Sequence, residues 1–130
     1  MIMNIEQVLE MWKEDSTIDD LKLDDTTIKM ARVHSKYLEL ITISKMRRKK
    51  KDLDYKTLLK DKWLYYNGKL SKDQIDAFKW EYDPFGGLNK PLKGDMNYYY
   101  DADTDIQKAQ AALEYDKVLI ETLEEIMGTI

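Results

Sequence analysis

The densest chemistry in the chain is a run of cations, Lys45-Met46-Arg47-Arg48-Lys49-Lys50-Lys51, followed at short intervals by Lys56, Lys60 and Lys62 and then by Trp63, Tyr65 and Tyr66. On a helix, Arg47 and Lys51 stand one turn apart, as do Lys56 and Lys60, so the charges fall into lines rather than a uniform belt. Lines of cations match the repeat of phosphates along a nucleic-acid backbone, where each neutralised phosphate releases counterions. The neighbouring aromatics offer flat faces on which unpaired bases stack, worth ~1–3 kcal/mol per base, and a duplex hides those faces. Together these residues form a candidate site for single-stranded DNA: Lys45, Arg47, Arg48, Lys49, Lys50, Lys51, Lys56, Lys60, Lys62, Trp63, Tyr65 and Tyr66. Two other readings stay open. The cations are equally a solvated helix face with Trp63 and Tyr66 in the core, or a patch for an acidic protein or lipid surface.

No other constellation points to catalysis. His34 is the only histidine and there is no cysteine, so the usual triads and zinc sites have no members here, and disulfides are excluded. Asp101, Asp103 and Asp105 have the spacing of the first three ligands of a calcium loop. Ile106 stands where such a loop needs glycine and Ala112 where it needs glutamate, so the three acids read as charges at a helix start. Gly86-Gly87 is followed by no Lys-Ser or Lys-Thr, which removes a phosphate-binding loop. Tyr98-Tyr99-Tyr100 either stacks bases or packs on the helices, with packing favoured. The expectation is a protein that is not an enzyme and needs no cofactor or metal.

The charge is unevenly placed. The 130 residues carry a formal net charge of −4, which taken alone argues against a nucleic-acid partner. Residues 31–72, however, hold 13 basic and 4 acidic side chains, a balance of +9, against −5 for residues 1–30, −2 for 73–100 and −6 for 101–130. A basic middle thus lies between acidic ends. Mean hydropathy is −0.63, yet 43% of residues are hydrophobic, many at helical spacing, which argues against disorder. The first residues lack a basic start and an unbroken apolar run, and no stretch approaches the ~18 apolar residues of a membrane span. A soluble, intracellular protein with no membrane partner is expected.

Stepping along the chain, Ile5, Val8, Leu9 and Trp12 mark a short amphipathic helix stopping near Asp15-Ser16. Asp24-Asp25-Thr26-Thr27 supplies cap oxygens for a second helix with a stripe of Ile28, Ala31, Ser35, Leu38 and Ile41. No glycine or proline interrupts the chain from there to Asn67-Gly68, the expected stop, and Leu59, Trp63 and Tyr66 repeat the pattern near that end. Ser71 with Gln74 reads as a capping box for a short helix through Ile75, Phe78 and Tyr82, ended by Pro84. Asp83 to Pro91 is a loop holding both prolines, and Met96 to Tyr100 is expected to be extended. A last helix starts near Asp101 or Asp103, carries Ile106, Ala109, Leu113, Ile120, Leu123 and Met127 on one face, and closes at Gly128. Such stripes bury only against one another, which predicts an all-α fold: an elongated antiparallel helical bundle or hairpin with one long central helix and a Gly/Pro loop, in one domain spanning 1–130. A core this small is often completed by oligomerising.

Two blocks of this sequence resemble a known family. His34-Ser35-Lys36-Tyr37-Leu38 is similar to the aromatic-Ser-Lys-aromatic-Leu stretch of the phage UvsY-type recombination mediators, and Lys60-Asp61-Lys62-Trp63-Leu64-Tyr65-Tyr66-Asn67-Gly68 to their Lys-x-Arg-Leu-x-Tyr-Tyr-x-Gly block. Order and separation also match, and the resemblance continues more faintly into Asp101-Ala102-Asp103-Thr104-Asp105. It implies a mediator that binds single-stranded DNA, contacts a single-strand-binding protein and a UvsX-type recombinase, helps the second replace the first, and works as a homo-oligomer in the host cell cytoplasm. It also implies that Lys60 and Lys62, at the paired cations of the Lys-x-Arg block, contact DNA. Lysine at 62 in place of arginine gives up a bidentate fork but keeps a positive charge. The rival reading is a helical scaffold or assembly protein whose basic segment docks on acidic protein surfaces, a pairing for which the +9 middle and −6 end of this chain are suited.

Overall fold

The computed structural model describes residues 3–16, 23–82, 84 and 93–130, with the side chains of 23–26 and 93 excepted, and every element among them is helical. In chain order these are α1 (Ile5–Asp15), α2 (Leu23–Tyr66), α3 (Lys72–Phe78), a turn of 3-10 helix (Lys93–Asp95), α4 (Met96–Ala102) and α5 (Thr104–Thr129). The chain divides into two compact units: Met1–Lys50 with Ala112–Ile130, and Lys51–Ala111.

In the first unit α1 opens on a capping box. Asn4 Oδ1 accepts from the Gln7 N–H at 2.7 Å and Gln7 Oε1 accepts from the Asn4 N–H at 2.9 Å, which supplies partners to two amides that the first turn leaves open. The core joins Val8 of α1 to Val33, Tyr37 and Ile41 of α2 and to Leu119, Leu123 and Ile126 of α5. Each such side chain contributes roughly 1.5–3 kcal/mol on burial. Tyr37 is the hinge of this packing: its ring meets the edge of Trp12 at 5.7 Å, and its hydroxyl donates to Asp15 Oδ2 at 3.1 Å, beside the Lys36 ammonium on the same oxygen.

That core corrects the phase expected for α2. Ile28, Ala31, Ser35 and Leu38 are exposed, and the buried line is Val33, Tyr37, Ile41 and Ser44. The start at Leu23 puts Asp24 and Asp25 inside the first turn rather than ahead of it; the capping role expected of their side chains lies outside the described residues. Most of the Asp83 to Pro91 loop does too.

The second unit is an antiparallel hairpin of α2 and the start of α5, closed by α3 and α4. The pairs Tyr55 with Gln110, Lys62 with Asp105 and Tyr66 with Asp103 run in opposite chain directions. Gly68 takes φ 68°, the left-handed stop expected after α2. Ser71 and Gln74 form the expected box, with Ser71 Oγ accepting from the Gln74 N–H at 3.2 Å and Gln74 Oε1 from the Ser71 N–H at 2.9 Å. The helix ends at Phe78, short of Tyr82, because Lys79 turns left-handed at φ 61°. Residues 96–100 are helical, not extended. Helical spacing sets Met96, Tyr99, Tyr100 and Asp103 on one side, where Met96 and Asp103 are buried and the two tyrosines half-buried, and that packing outweighs a strand preference of under ~1 kcal/mol. The last helix buries Ile106, Ile120 and Leu123 of its expected stripe, adds Leu119 and Ile126, and runs past Gly128 to Thr129.

Candidate nucleic-acid interface

Geometry divides the twelve candidate residues. In the first unit Lys45, Lys49 and Lys50 are exposed on α2, and Arg47 and Arg48 half-buried. Lys45 lies 3.1 Å from Glu124 of α5, both side chains open to water, a pairing worth well under ~1 kcal/mol. Arg48 is more committed: its Nε donates to the Leu113 carbonyl at 3.4 Å and so ties α2 to α5.

In the second unit Lys51 is half-buried, while Lys56, Lys60 and Trp63 are all exposed. Their spacing of four and then three residues sets them on one face of α2 as a stripe about two turns long. Lys56 pairs with Asp52 at 3.3 Å and Lys60 with Asp61 at 3.7 Å; both lysines remain largely in solvent, so neither ion pair holds its cation strongly. Trp63 keeps 42% of its surface exposed, and the Lys69 ammonium lies 5.7 Å from its ring centroid. A line of two cations leading to an exposed indole with a third cation beside it can accept two phosphates and one stacked base.

Lys62, Tyr65 and Tyr66 lie elsewhere. Residues two apart on a helix do not share a face, so Lys60 and Lys62 point to different sides. Lys62 instead follows Leu58 and precedes Tyr65 and Tyr66 on the inner side of α2, where its side chain is only 4% exposed. Its ammonium lies 3.0 Å from both Asp103 Oδ2 and Asp105 Oδ2 and 3.9 Å from the centroid of Trp80. Tyr65 is buried against Trp80 with ring centroids 5.0 Å apart, and its hydroxyl donates to the Glu81 carbonyl. The Tyr66 hydroxyl donates to Asp103 Oδ2 at 2.6 Å, and its ring meets Tyr99 at 5.8 Å. All three thus have partners within the chain.

Asp103 is the residue that sequence reasoning undervalued. Its Oδ1 caps α5 by accepting from the Asp105 and Ile106 N–H groups at 2.9 and 3.0 Å, while Oδ2 takes Lys62 and Tyr66. Burial by itself would raise the Asp103 pKa, but hydrogen bonds from Tyr66, Ile106 and Lys62, with the Lys62 charge, hold it below the ordinary carboxylate value. Burial, the bond to Asp103 and that carboxylate's charge push Tyr66 well above an ordinary tyrosine; burial, then the charges of Glu81 and Asp103, raise Tyr65 as well. The helical spacing of Lys62 from Leu58 and Tyr65, set against an Asp-x-Asp helix start, was the available signal.

Elsewhere, His34 is exposed on α2, and no cluster of acids and histidine suited to a metal occurs among the described residues. Tyr99 and Tyr100 are half-buried, as packing requires, and Tyr98 is exposed. Among the described residues no helix is long and apolar enough to cross a membrane.

Comparison with known proteins gives one family and one structure. The profile of the family described as "Recombination, repair and ssDNA binding protein UvsY" matches residues 11–130. The fold is similar to the crystal structure of the bacteriophage T4 recombination mediator protein UvsY, with a TM-score of 0.77 and 24% identity over 97% of this chain and 84% of that one. No curated protein matches by sequence.

Proposed function

Because this chain belongs to the UvsY family of recombination, repair and single-stranded-DNA-binding proteins, we propose that it is a recombination mediator holding single-stranded DNA on the exposed face of α2. It helps load a UvsX-type recombinase onto strands covered by single-strand-binding protein, in recombination, repair and replication. It works without catalysis, as a homo-oligomer in the host cytoplasm. A mediator must grip a strand while two other proteins exchange on it, which calls for many weak, sequence-tolerant contacts rather than one deep pocket.

The observation that carries this reading is the stripe of Lys56, Lys60 and Trp63, with Lys69 beside the indole. Its cations are held by ion pairs weak enough for phosphates to displace, and its aromatic is open to a base. In the first unit the exposed cations Lys45, Lys49 and Lys50 offer phosphates a run of charge of their own. Lys62, Tyr65 and Tyr66 have a supporting part, fixing the end of α2 from which Trp63 projects. The scaffold reading has in its favour the pairs between basic middle and acidic end, Lys45 with Glu124 and Lys62 with Asp103 and Asp105, but these are made within a single chain.

Titration of a fluorescent oligonucleotide, single-stranded and duplex in parallel at two salt concentrations, tests the proposal. The expected result is preference for the single strand, with log K falling as log salt rises by about 0.7 for each phosphate neutralised. Absence of binding to either form would leave the scaffold as the better reading.

A further inference from the structure

Among the described residues of the second unit, a column of flat groups has one end open. At its foot is the Lys62 ammonium, 3.9 Å from the Trp80 ring centroid; Phe78 lies over Trp80 with centroids 4.3 Å apart and planes 13° from parallel. Trp80 is further held by Tyr65 at 5.0 Å. Phe78, although one of its faces rests on Trp80, keeps 42% of its surface exposed, so its other face and edge meet solvent. Tyr82, two residues beyond Trp80, is 60% exposed, with the Lys72 ammonium 5.7 Å from its centroid.

The backbone gives something up to build this. Lys79, between Phe78 and Trp80, sits at φ 61°, a conformation costing a non-glycine residue about 1 kcal/mol or more. It halts α3 and folds Trp80 back under Phe78. The left-handed turn at Lys79 is what holds the outer face of Phe78 open above Trp80.

Resting on the single-strand reading above, we infer that Phe78, on its Trp80 base, is a second stacking platform for an unpaired nucleobase, with Tyr82 as a flanking aromatic. The occupant follows from charge and geometry. Lys69, Lys72 and Lys79 are offset by Asp73, Asp76 and Glu81, so this patch has no net charge with which to select an acidic or a basic protein. Its one strong feature is a near-parallel stack at base-stacking distance, and any base has a face to extend it. Lys62, at the foot of the column, and Trp63, in the stripe, are neighbours on α2 that face different sides of the helix. Phosphates are gripped at Lys56 and Lys60, and bases at Trp63 and Phe78.

This division of labour has its own signature. Phe78→Ala should weaken binding of a mixed-sequence single strand by about five- to a hundred-fold, the range for one lost base–aromatic stack, without changing the salt slope. Lys60→Ala should make that slope shallower by about 0.7. An abasic strand of equal length, which offers phosphates without bases, should bind wild type and Phe78→Ala alike. Phe78→Trp should restore affinity for the base-bearing strand and Phe78→Leu should not, with helicity by circular dichroism unchanged throughout. Equal binding of the base-bearing strand by wild type and Phe78→Ala would overturn the platform while leaving the α2 stripe intact, and would hand this surface to a protein partner. An equal loss on the abasic strand would also overturn it, as a structural effect. Failure of wild type to bind either strand would remove the single-strand reading and the platform with it.

Discussion

The Lys62 ammonium and the Asp103 carboxylate lie 3.0 Å apart with both side chains 4% exposed, and this pair joins the end of α2 to the start of α5. Removing two charges from water costs several kcal/mol each, so such a pair persists only when the remaining hydrogen-bonding capacity is also met. Asp103 meets it through Tyr66 and two backbone amides, and Lys62 through Asp105 and the face of Trp80. In this chain the two cations of the Lys60-Asp61-Lys62 block therefore stand in different surroundings, one in solvent and one in the core.

Stability measurements should separate them. Lys62→Ala leaves Asp103 buried without its main counter-charge, and Asp103→Ala leaves Lys62 only the half-exposed Asp105 as counter-charge and uncaps α5; each should lose about 3–5 kcal/mol in urea or guanidinium unfolding. Lys60→Ala, at an exposed site, should stay within about 0.5 kcal/mol of wild type. A Lys62→Ala variant that keeps its unfolding midpoint and loses DNA affinity would return Lys62 to the strand.

Acid should act through Asp103. Its pKa is lower in the fold than in the unfolded chain, so the unfolded state takes up a proton first as pH falls. The stabilisation is complete above the unfolded carboxylate value of about 4 and is lost as pH descends from there through the folded value. Unfolding free energy measured between about pH 6 and pH 3 should fall less steeply in Asp103→Asn than in wild type. Parallel curves would place the acid sensitivity on other carboxylates.

The helices themselves were largely legible, since Asn67-Gly68, the Ser71–Gln74 box and the Ile106 to Met127 stripe act within one or two turns and need no knowledge of the rest. The failures share one cause. α2 carries two apolar lines, Ile28–Leu38 and Val33–Tyr37–Ile41, and which is buried depends on where α1 and α5 lie, which periodicity does not contain. The three consecutive tyrosines suggested a strand until Met96 and Asp103 gave their helix an inner face. Lys62, paired with Lys60 through the resemblance to the Lys-x-Arg block, is buried where Lys60 is exposed, a difference that its spacing from Leu58 and Tyr65 already carried. Phe78 reads in sequence only as part of a short helix through Ile75 and Tyr82, and its stack on Trp80 is not foreseen there because a left-handed lysine, which no local signal announces, creates it.

Salt dependence should report the α2 stripe directly. With Lys56 and Lys60 each neutralising one phosphate, the double variant Lys56→Ala, Lys60→Ala should flatten the plot of log K against log salt by about 1.4 and leave thermal stability near that of wild type. An unchanged slope with reduced affinity would mean that these lysines act on folding or assembly rather than on phosphates.

Alkali should expose the tyrosines that hold the two units' interiors. Burial, with the bond to Asp15 and that carboxylate's charge, raises Tyr37; burial and Asp103 raise Tyr66; burial leads for Tyr65 and Tyr100. A phenol whose folded pKa is raised stabilises the fold below the unfolded value of about 10, and that contribution fades as pH climbs through the folded value, because the unfolded chain then releases the proton first. Absorbance titration of the nine tyrosines should accordingly show a fraction that ionises only as helicity is lost above about pH 10. Tyr37→Phe and Tyr66→Phe should each reduce that late fraction. A single transition complete before any loss of helicity would mean that Asp15 and Asp103 do not hold these hydroxyls in solution.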